Sequence, residues 1–354
     1  MALRHFNNLK SLSGPILITG HTGFKGKWLT LLLDSLEIPY VGYSLAPALD
    51  SLYTICADTP KSNEKYSDIR DFDALRKFFQ DTKPAAVIHL AAQPLVIESY
   101  LNPAYTFDVN VMGTINVMQA AIEMSSVKSV ICVTTDKVYR NSEEGKLFSE
   151  NDPLAGKDPY SSSKVACESA IDAWRAISKF NNQSDIFSVR SGNVIGGGDI
   201  SKNRLLPDLI NGYINQKKVI IRNPKSTRPW QHVLDPLYGY LLALEVSLEG
   251  KSNRAFNFAT KDLSISVEHA IEIIKKSAGS ERVLVEYDTH NPQFPESSKL
   301  DLDPELAFKL LGWESAWSQE EAITSTFEWW DKVKFKNISP NEACNQDIAK
   351  LLQL

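Results

Sequence analysis

The run Ile16-Leu17-Ile18-Thr19 passes directly into Gly20-His21-Thr22-Gly23-Phe24-Lys25-Gly26 and then into an apolar stretch beginning Trp28-Leu29-Thr30-Leu31. That order constrains the fold strongly, because it describes a strand feeding a helix through a tight turn of glycines three residues apart. Glycines there let the backbone approach a pyrophosphate, which the free N–H groups and dipole of the helix start then stabilise. The competing reading of the same triplet is an ordinary βα turn. The alternation continues, with strand-like runs at 40–43, 86–90, 129–134 and 187–190 and helical stretches at 72–81, 104–124 and 161–180. Short apolar runs alternating with longer amphipathic ones predict βαβ units and a parallel sheet.

The fold class expected is therefore α/β, a doubly wound parallel sheet of Rossmann type with a smaller C-terminal α/β portion for substrate. After residue 190 the texture changes: Gly196-Gly197-Gly198-Asp199, a helix over 205–215, a short strand at 219–221, a Pro-rich stretch at 223–230, and helices at 236–248, 267–278, 304–311 and 318–332. The division expected is a dinucleotide-binding domain over 1–190, a substrate portion over 191–336 and a loosely attached tail over 337–354. The chain has 354 residues, 43% of them hydrophobic, which is enough for a large core in such an arrangement. Its 38 Lys and Arg against 43 Asp and Glu leave a net charge of −5, so no global basic field exists to hold nucleic acid or an anionic membrane. Two or three arginines still suffice for a diphosphate. Cys56, Cys132, Cys167 and Cys344 form no C-x-x-C pair and read as buried small hydrophobes, with no metal site and no disulfide framework. With no apolar run of about 18 residues, a cytoplasmic location is expected.

Tyr160-Ser-Ser-Ser-Lys164 places a phenol and an ammonium four residues apart, on one face of a helix. A neighbouring cation lowers a phenol from about 10 toward the range where its anion serves as a base. Asp158-Pro159 before it is a turn signal. Other positions keep two readings open. Asp68-Ile69 either flanks an adenine or is a helix N-cap region, and Leu90-Ala91-Ala92-Gln93 either packs backbone against a flat ligand or reflects tight core packing. The second strand ends Gly42-Tyr43-Ser44-Leu45 without the acidic residue that marks a ribose site, leaving NAD against NADP undecided.

The glycine triplet, Thr134-Thr135-Asp136-Lys137 at a strand end and Tyr160-x-x-x-Lys164 resemble the extended short-chain dehydrogenase/reductase family, whose members modify nucleotide sugars. Within it, the strings from Thr19 to Gly26, His89 to Val96, Asn110 to Thr114, Asp158 to Lys164, Gly192 to Asp199 and Arg228 to Val233 are similar to the CDP-glucose 4,6-dehydratase branch, from about residue 14 to about residue 333. The resemblance implies NAD held by Gly20, Thr22, Gly23, Phe24, Gly26, Asp68, Ile69, Leu90, Ala91 and Ala92 together with Tyr160 and Lys164. It implies a nucleotide-sugar substrate bound by Gln93, Asn193, Arg204, Arg228 and His232, and a homodimer built on the helices at 104–124 and 161–180. The reaction implied is oxidation at the sugar C4 with Tyr160 as base, aided by Lys164 and Thr135. Loss of water across C5 and C6 by Asp136 and Lys137 follows, and then return of the hydride to C6. Both arginines also read as surface ion-pairing residues, and Asp136-Lys137 as a surface ion pair in a loop. Ile97-Glu98, Ile200 and Tyr139-Arg140 depart from the branch pattern and leave base and hexose open. An epimerase or reductase on a related nucleotide sugar is the alternative enzyme, and an idle dinucleotide-binding sensor or scaffold the alternative class.

Overall fold

The computed structural model describes residues 6–56, 63–181, 183–251, 253–288 and 299–353. Seven strands, β1 (Ile16–Thr19), β2 (Tyr40–Ser44), β3 (Glu64–Tyr66), β4 (Ala86–His89), β5 (Ser129–Val133), β6 (Asp185–Ser191) and β7 (Ala255–Phe258), form one sheet. Its order is β7-β6-β5-β4-β1-β2-β3, and every neighbouring pair is parallel. The order reverses between β1 and β4, the position at which open α/β sheets leave a crevice beyond the strand ends. Thr19 lies opposite both Tyr43 and His89, so three strand ends line that crevice at one level.

Helices bury both faces of the sheet, which is why its central strands are continuous apolar runs. Successive side chains still part to opposite sides. Ile16, Ile18, Ile88, Ile131 and Phe187 join Trp28, Leu29 and Tyr240 in one core, whereas Leu17, Val41, Val87, Val130 and Ile186 join Val117, Met118 and Ile171 in the other. The helices that position the site are α1 (Phe24–Ser35), α2 (Phe72–Thr82), α3 (Gly113–Ile122), α4 (Pro159–Phe180), α5 (Leu205–Asn215), α6 (Leu234–Leu248), α7 (Gln319–Phe335) and α8 (Pro340–Leu352). The start of α4 is fixed by Pro159 in the first turn and by a capping box in which Asp158 accepts from the Ser161 N–H at 2.9 Å. The stretch expected as one helix over 104–124 is interrupted by a π turn at Asp108–Met112.

Two expectations change. The sheet is not complete at residue 190, because β7 pairs with β6 from within the portion assigned to substrate. The tail is not loose. In α8, Ala343, Cys344, Ile348, Leu351 and Leu352 are buried, and the helix packs on α1, α6 and α7. Ser339 caps it by accepting from the Glu342 N–H at 3.1 Å. Among the described residues no helix is long and apolar enough to cross a membrane. Because Leu351 is buried against the rest of the protein, Leu351→Ala is expected to lower stability by about 2–4 kcal/mol in urea unfolding. A change within about 0.5 kcal/mol would mean an unattached tail.

Candidate active site

The three glycines do different things. Gly20 has φ +76°, and a Cβ there would lie 2.8 Å from the Ala91 nitrogen, so the β1–α1 turn and the end of β4 touch. At Gly26 a Cβ would fall 2.1 Å from the Gly20 carbonyl oxygen, so α1 leaves the turn only with glycine there. Gly23 is exposed, and its Cβ would meet nothing nearer than 3.3 Å. It is the N-cap of α1, which has neither a side-chain cap nor an acidic residue in its first turn. The helix start therefore offers free N–H groups and the positive end of its dipole to the crevice, which fits a pyrophosphate. Thr22 fastens the turn to the end of β2, donating to the Leu45 carbonyl at 3.0 Å and meeting the Ser44 hydroxyl at 2.7 Å. The Phe24 ring lies against Gly196, while Leu90, Ala91 and Ala92 are half-buried at the crevice edge. Asp68 and Ile69 have other partners: Arg70 donates to the Asp68 carboxylate at 2.7 Å and holds it below its usual range, and Ile69 packs where a Cβ on Gly113 would sit.

Behind the turn runs a buried chain of hydrogen bonds. Thr114 donates to the Asn110 carbonyl at 2.6 Å, so its oxygen is free to accept from His89 Nε2 at 3.0 Å, and His89 Nδ1 then accepts from the Thr19 hydroxyl at 2.6 Å. The π turn exposes the Asn110 carbonyl to Thr114 and to the Cys167 thiol, which donates at 3.1 Å. The Asn110 side chain accepts from the Gln93 N–H at 2.8 Å and donates to Ser163 at 2.9 Å, and Ser163 donates to the Tyr160 carbonyl at 2.6 Å. The ends of β1 and β4 are thereby tied to the turn of α4 that carries Tyr160. Burial, with Lys164 nearby, pushes His89 down to about 3, so its ring is neutral at pH 7.

Tyr160 and Lys164 share the face of α4 that meets the end of β5. Lys164 donates to the Val133 carbonyl at 3.1 Å, and burial lowers its pKa. Burial pushes the Tyr160 phenol up to about 12. The Thr135 hydroxyl bonded to it and the charge of Arg204 act downward, while Asp136 acts upward. Asp136 is 1% exposed; its Oδ1 accepts from Thr135 at 2.8 Å and from Lys137 Nζ at 3.1 Å. Lys137 also reaches Asn193 Oδ1, at 3.4 Å. Arg204, at the start of α5, lies 3.6 Å from Asp199 and contributes its charge to the same cluster. Thr135, Asp136, Lys137, Tyr160, Lys164, Asn193 and Arg204 thus come together from four separate parts of the chain. Asp136 being buried removes the surface ion-pair reading.

Three substrate candidates fare otherwise. Gln93 spends its side chain on folding, donating to Leu95 O at 3.1 Å and Thr106 at 2.9 Å and accepting from the Leu95 N–H at 2.6 Å. His232 is fully buried, stacked on Trp317 at 4.3 Å and 3.5 Å from Asp347 of α8. The strand Trp230–His232 turns it into the core, so the expectation that it binds substrate is corrected. Arg228 lies on a separate two-stranded ribbon with Ile265–Ser266, its guanidinium donating to the Thr227 carbonyl at 2.8 Å.

The sequence reading missed three contributors. Glu168, one turn beyond Lys164, receives Arg190 at 2.7 and 2.8 Å, Thr134 at 2.6 Å and Ser188 at 2.8 Å in the protein interior. Its spacing on α4 was a signal, but nothing local pointed to Arg190. His89 lies in the stretch His89–Val96, where its sequence neighbours give no sign of its partners. Lys25 stands between Phe24 and Gly26 at the start of an apolar helix, and its charge there is the signal that marks it.

The low pKa of His89 has a measurable consequence. Below about pH 6.5 the unfolded chain takes up a proton that the folded chain refuses, so stability falls as pH drops toward 3 by up to about 1.4 kcal/mol per unit. The stability advantage of wild type over His89→Gln is expected to shrink by about 2 kcal/mol between pH 7 and pH 5. An advantage constant across that range would contradict a neutral His89.

Residues 17–326 match the family model for GDP-mannose 4,6 dehydratase. CDP-glucose 4,6-dehydratase of Salmonella typhimurium is 39% identical over 325 residues, 89% of either chain, and dTDP-D-glucose 4,6-dehydratase of Homo sapiens 28% identical over 335 residues, again 89% of each. Among solved structures, the dTDP-glucose 4,6-dehydratase DesIV from Streptomyces venezuelae with NAD and TYD bound superposes with a TM-score of 0.76 at 21% identity, covering 92% of this chain and 99% of that one. The UDP-glucose 4-epimerase of Stenotrophomonas maltophila with bound NAD gives 0.77 at 21% identity, covering 90% and 98%. Those two likenesses are of fold. With the family model spanning most of the sequence and a relative well above 30% identity, the chain belongs to the GDP-mannose 4,6 dehydratase family of extended short-chain dehydrogenases/reductases.

Proposed function

We propose that the protein is an NAD-dependent nucleotide-sugar 4,6-dehydratase that converts CDP-glucose to its 4-keto-6-deoxy product. The observation that carries this reading is the pairing of buried Asp136 with half-buried Lys137 beside Tyr160. Transfer of hydride at C4 alone needs one base, whereas loss of water across C5 and C6 needs an acid and a second base. The CDP-sugar assignment is supported by the 39% identical Salmonella protein of that name.

The cofactor fits the uncapped start of α1 and the half-buried edge at Leu90, Ala91 and Ala92. When bound, NAD supplies the two-electron chemistry, taking a hydride from the sugar C4 and returning it at C6. Tyr160 removes the proton of the C4 hydroxyl, with Thr135 bonded to its oxygen. In the protein alone the phenol sits at about 12 and keeps its proton at neutral pH, so it acts as a base only when further positive charge enters the cleft. For the elimination, one proton moved from Lys137 Nζ to the Asp136 carboxylate across their 3.1 Å contact gives a carboxylic acid and a free amine with no change in net charge. The amine then takes the C5 proton, and the acid gives its proton to the departing C6 hydroxyl, which leaves as water. The ion pair is restored. Arg204 and Asn193 supply donors to the diphosphate side of the substrate.

Incubation with CDP-, dTDP-, UDP- and GDP-hexoses, with the 4-keto-6-deoxy product read by its absorbance in alkali, tests the reading. Turnover of CDP-glucose is expected to exceed the others. Unchanged substrate or a C4 epimer would sink it. Tyr160→Phe and Asp136→Asn are each expected to lower kcat by about 10²–10⁴.

Tyr105, Phe107 and Met112 before α3 and Ile177 and Phe180 of α4 are exposed apolar side chains on helical segments that pack against each other. This supports a homodimer through those segments. Light scattering at micromolar concentration is expected to give twice the chain mass; a monomer would count against it.

A further inference from the structure

Asp136 and Lys137, the pair assigned to the elimination, sit on a short 3₁₀ turn, Asp136–Val138, that its own backbone holds weakly. The Val138 N–H reaches the Thr135 carbonyl at 3.5 Å and the Tyr139 N–H the Asp136 carbonyl at 3.4 Å, both at the long limit of a hydrogen bond. Contacts from outside must therefore fix the turn. The Ala155 N–H meets the Val138 carbonyl at 2.8 Å, a backbone contact that any residue at 139 would keep. Tyr139, which ends the turn, is 2% exposed, and its ring stacks on Phe148 with centroids 5.2 Å apart. Its hydroxyl donates to Asn257 Oδ1 at 2.8 Å and accepts from Arg190 Nη1 at 2.7 Å. Arg190 and Asn257 lie opposite one another on β6 and β7, so one cross-strand pair of the central sheet supplies both partners. Burial, opposed by Arg190 and Asn257, pushes the phenol up to about 12, so at neutral pH it keeps the proton it donates. Arg190 uses separate nitrogens for its two tasks. Nε and Nη2 bind the Glu168 carboxylate at 2.7 and 2.8 Å and so act on α4, whereas Nη1 serves Tyr139 and, at 3.3 Å, the Glu150 carbonyl.

We propose that Tyr139 is a positioning residue for the elimination alone: it anchors the Asp136–Lys137 turn to β6 and β7 and so sets those two side chains against C5 and C6, while oxidation at C4 does not depend on it. The inference rests on the dehydratase reading above. The proton exchange between Lys137 Nζ and Asp136 acts across 3.1 Å, and a turn displaced by about 1 Å costs on the order of 10²-fold in rate. Tyr160 and Lys164 stand on another element. Lys164 is held at the Val133 carbonyl, and Glu168 keeps all four of its hydrogen bonds when the Tyr139 hydroxyl is removed. Thr134, next to the Thr135 that bonds Tyr160, is fixed to β6 through its N–H, 2.9 Å from the Val189 carbonyl.

Two substrates separate the halves of the reaction. CDP-6-deoxyglucose keeps the C4 hydroxyl but has no C6 hydroxyl to lose, so with the NAD-loaded enzyme it reports oxidation at C4 alone, through the absorbance of the reduced nicotinamide. CDP-glucose reports the whole sequence through the 4-keto-6-deoxy product. Tyr139→Phe is expected to lower turnover of CDP-glucose by about 10- to 100-fold while oxidising the 6-deoxy sugar within about threefold of the wild-type rate. Losses of similar size on both substrates would mean a merely structural role and overturn the proposal, as would no loss on either. Should Tyr139→Phe fail to fold, Asn257→Ala, which removes the acceptor of the same hydroxyl, is judged by the same pair of rates. A wild type that makes no product from CDP-glucose would overturn the dehydratase reading, and this role with it.

Discussion

Glu168 and Arg190 meet in the interior with almost no access to water. Removing two charges from solvent costs several kcal/mol each, and the loss is recovered only when nearly every donor and acceptor finds a partner. Here Glu168 accepts four hydrogen bonds, and Arg190 also donates to the Tyr139 hydroxyl at 2.7 Å. Burial works to raise the Glu168 pKa, but the contacts of Arg190, Thr134 and Ser188 together outweigh it and the net shift is downward, so the pair stays ionised. Glu168 lies one turn past Lys164 and two past Tyr160. Holding its carboxylate on β6 fixes the rotation of α4 about its axis, and that rotation points the phenol and the ammonium at the end of β5.

The opposite side of the same helix is held by neutral groups. His89 contributes because it stays uncharged, accepting from Thr19 and donating to Thr114, and a protonated ring would lose the first of these bonds. The π turn at Asp108–Met112 is part of that arrangement. In that wider turn the Asn110 carbonyl accepts from a hydroxyl and a thiol as well as from the Gly113 N–H. An ion pair on one side and a neutral chain on the other therefore set Tyr160 from two directions. Neither depends on the substrate portion of the molecule.

The parts of this machinery that were legible in the sequence are the local ones. Runs such as Ile16–Thr19 announce strands, and Tyr160 and Lys164 announce a shared helix face through their spacing. The two edge strands were hidden for different reasons. Glu64–Tyr66 is three residues long and largely polar, and Ala255–Phe258 pairs with a strand far away in sequence. Non-local pairing also explains Arg190, and α8, whose polar composition suggested a tail although Cys344, Ile348 and Leu352 recur at four-residue spacing. The fold turns the side chains of both Gln93 and His232 inward. Which way a strand turns its side chains depends on what packs over it, and Trp317 and α8 cover His232.

Charge shows how far bulk composition and local chemistry part company. The chain carries five more acidic than basic groups, yet the crevice gathers Lys25, Lys137, Lys164, Arg204 and the open start of α1 around two buried carboxylates, Asp136 and Asp199. Cations so crowded repel one another, and burial adds to the cost. Both effects are relieved when a proton leaves Lys25, which burial and then Arg204 and Lys164 shift downward, whereas burial is what shifts Lys164 downward. Two diphosphates, one from the cofactor and one from the sugar nucleotide, bring the negative charge that the crevice lacks. A protein acidic overall can thus hold two anionic ligands side by side, because the field that matters is set within a few ångströms of the phosphates and falls off over a Debye length of about 8–10 Å.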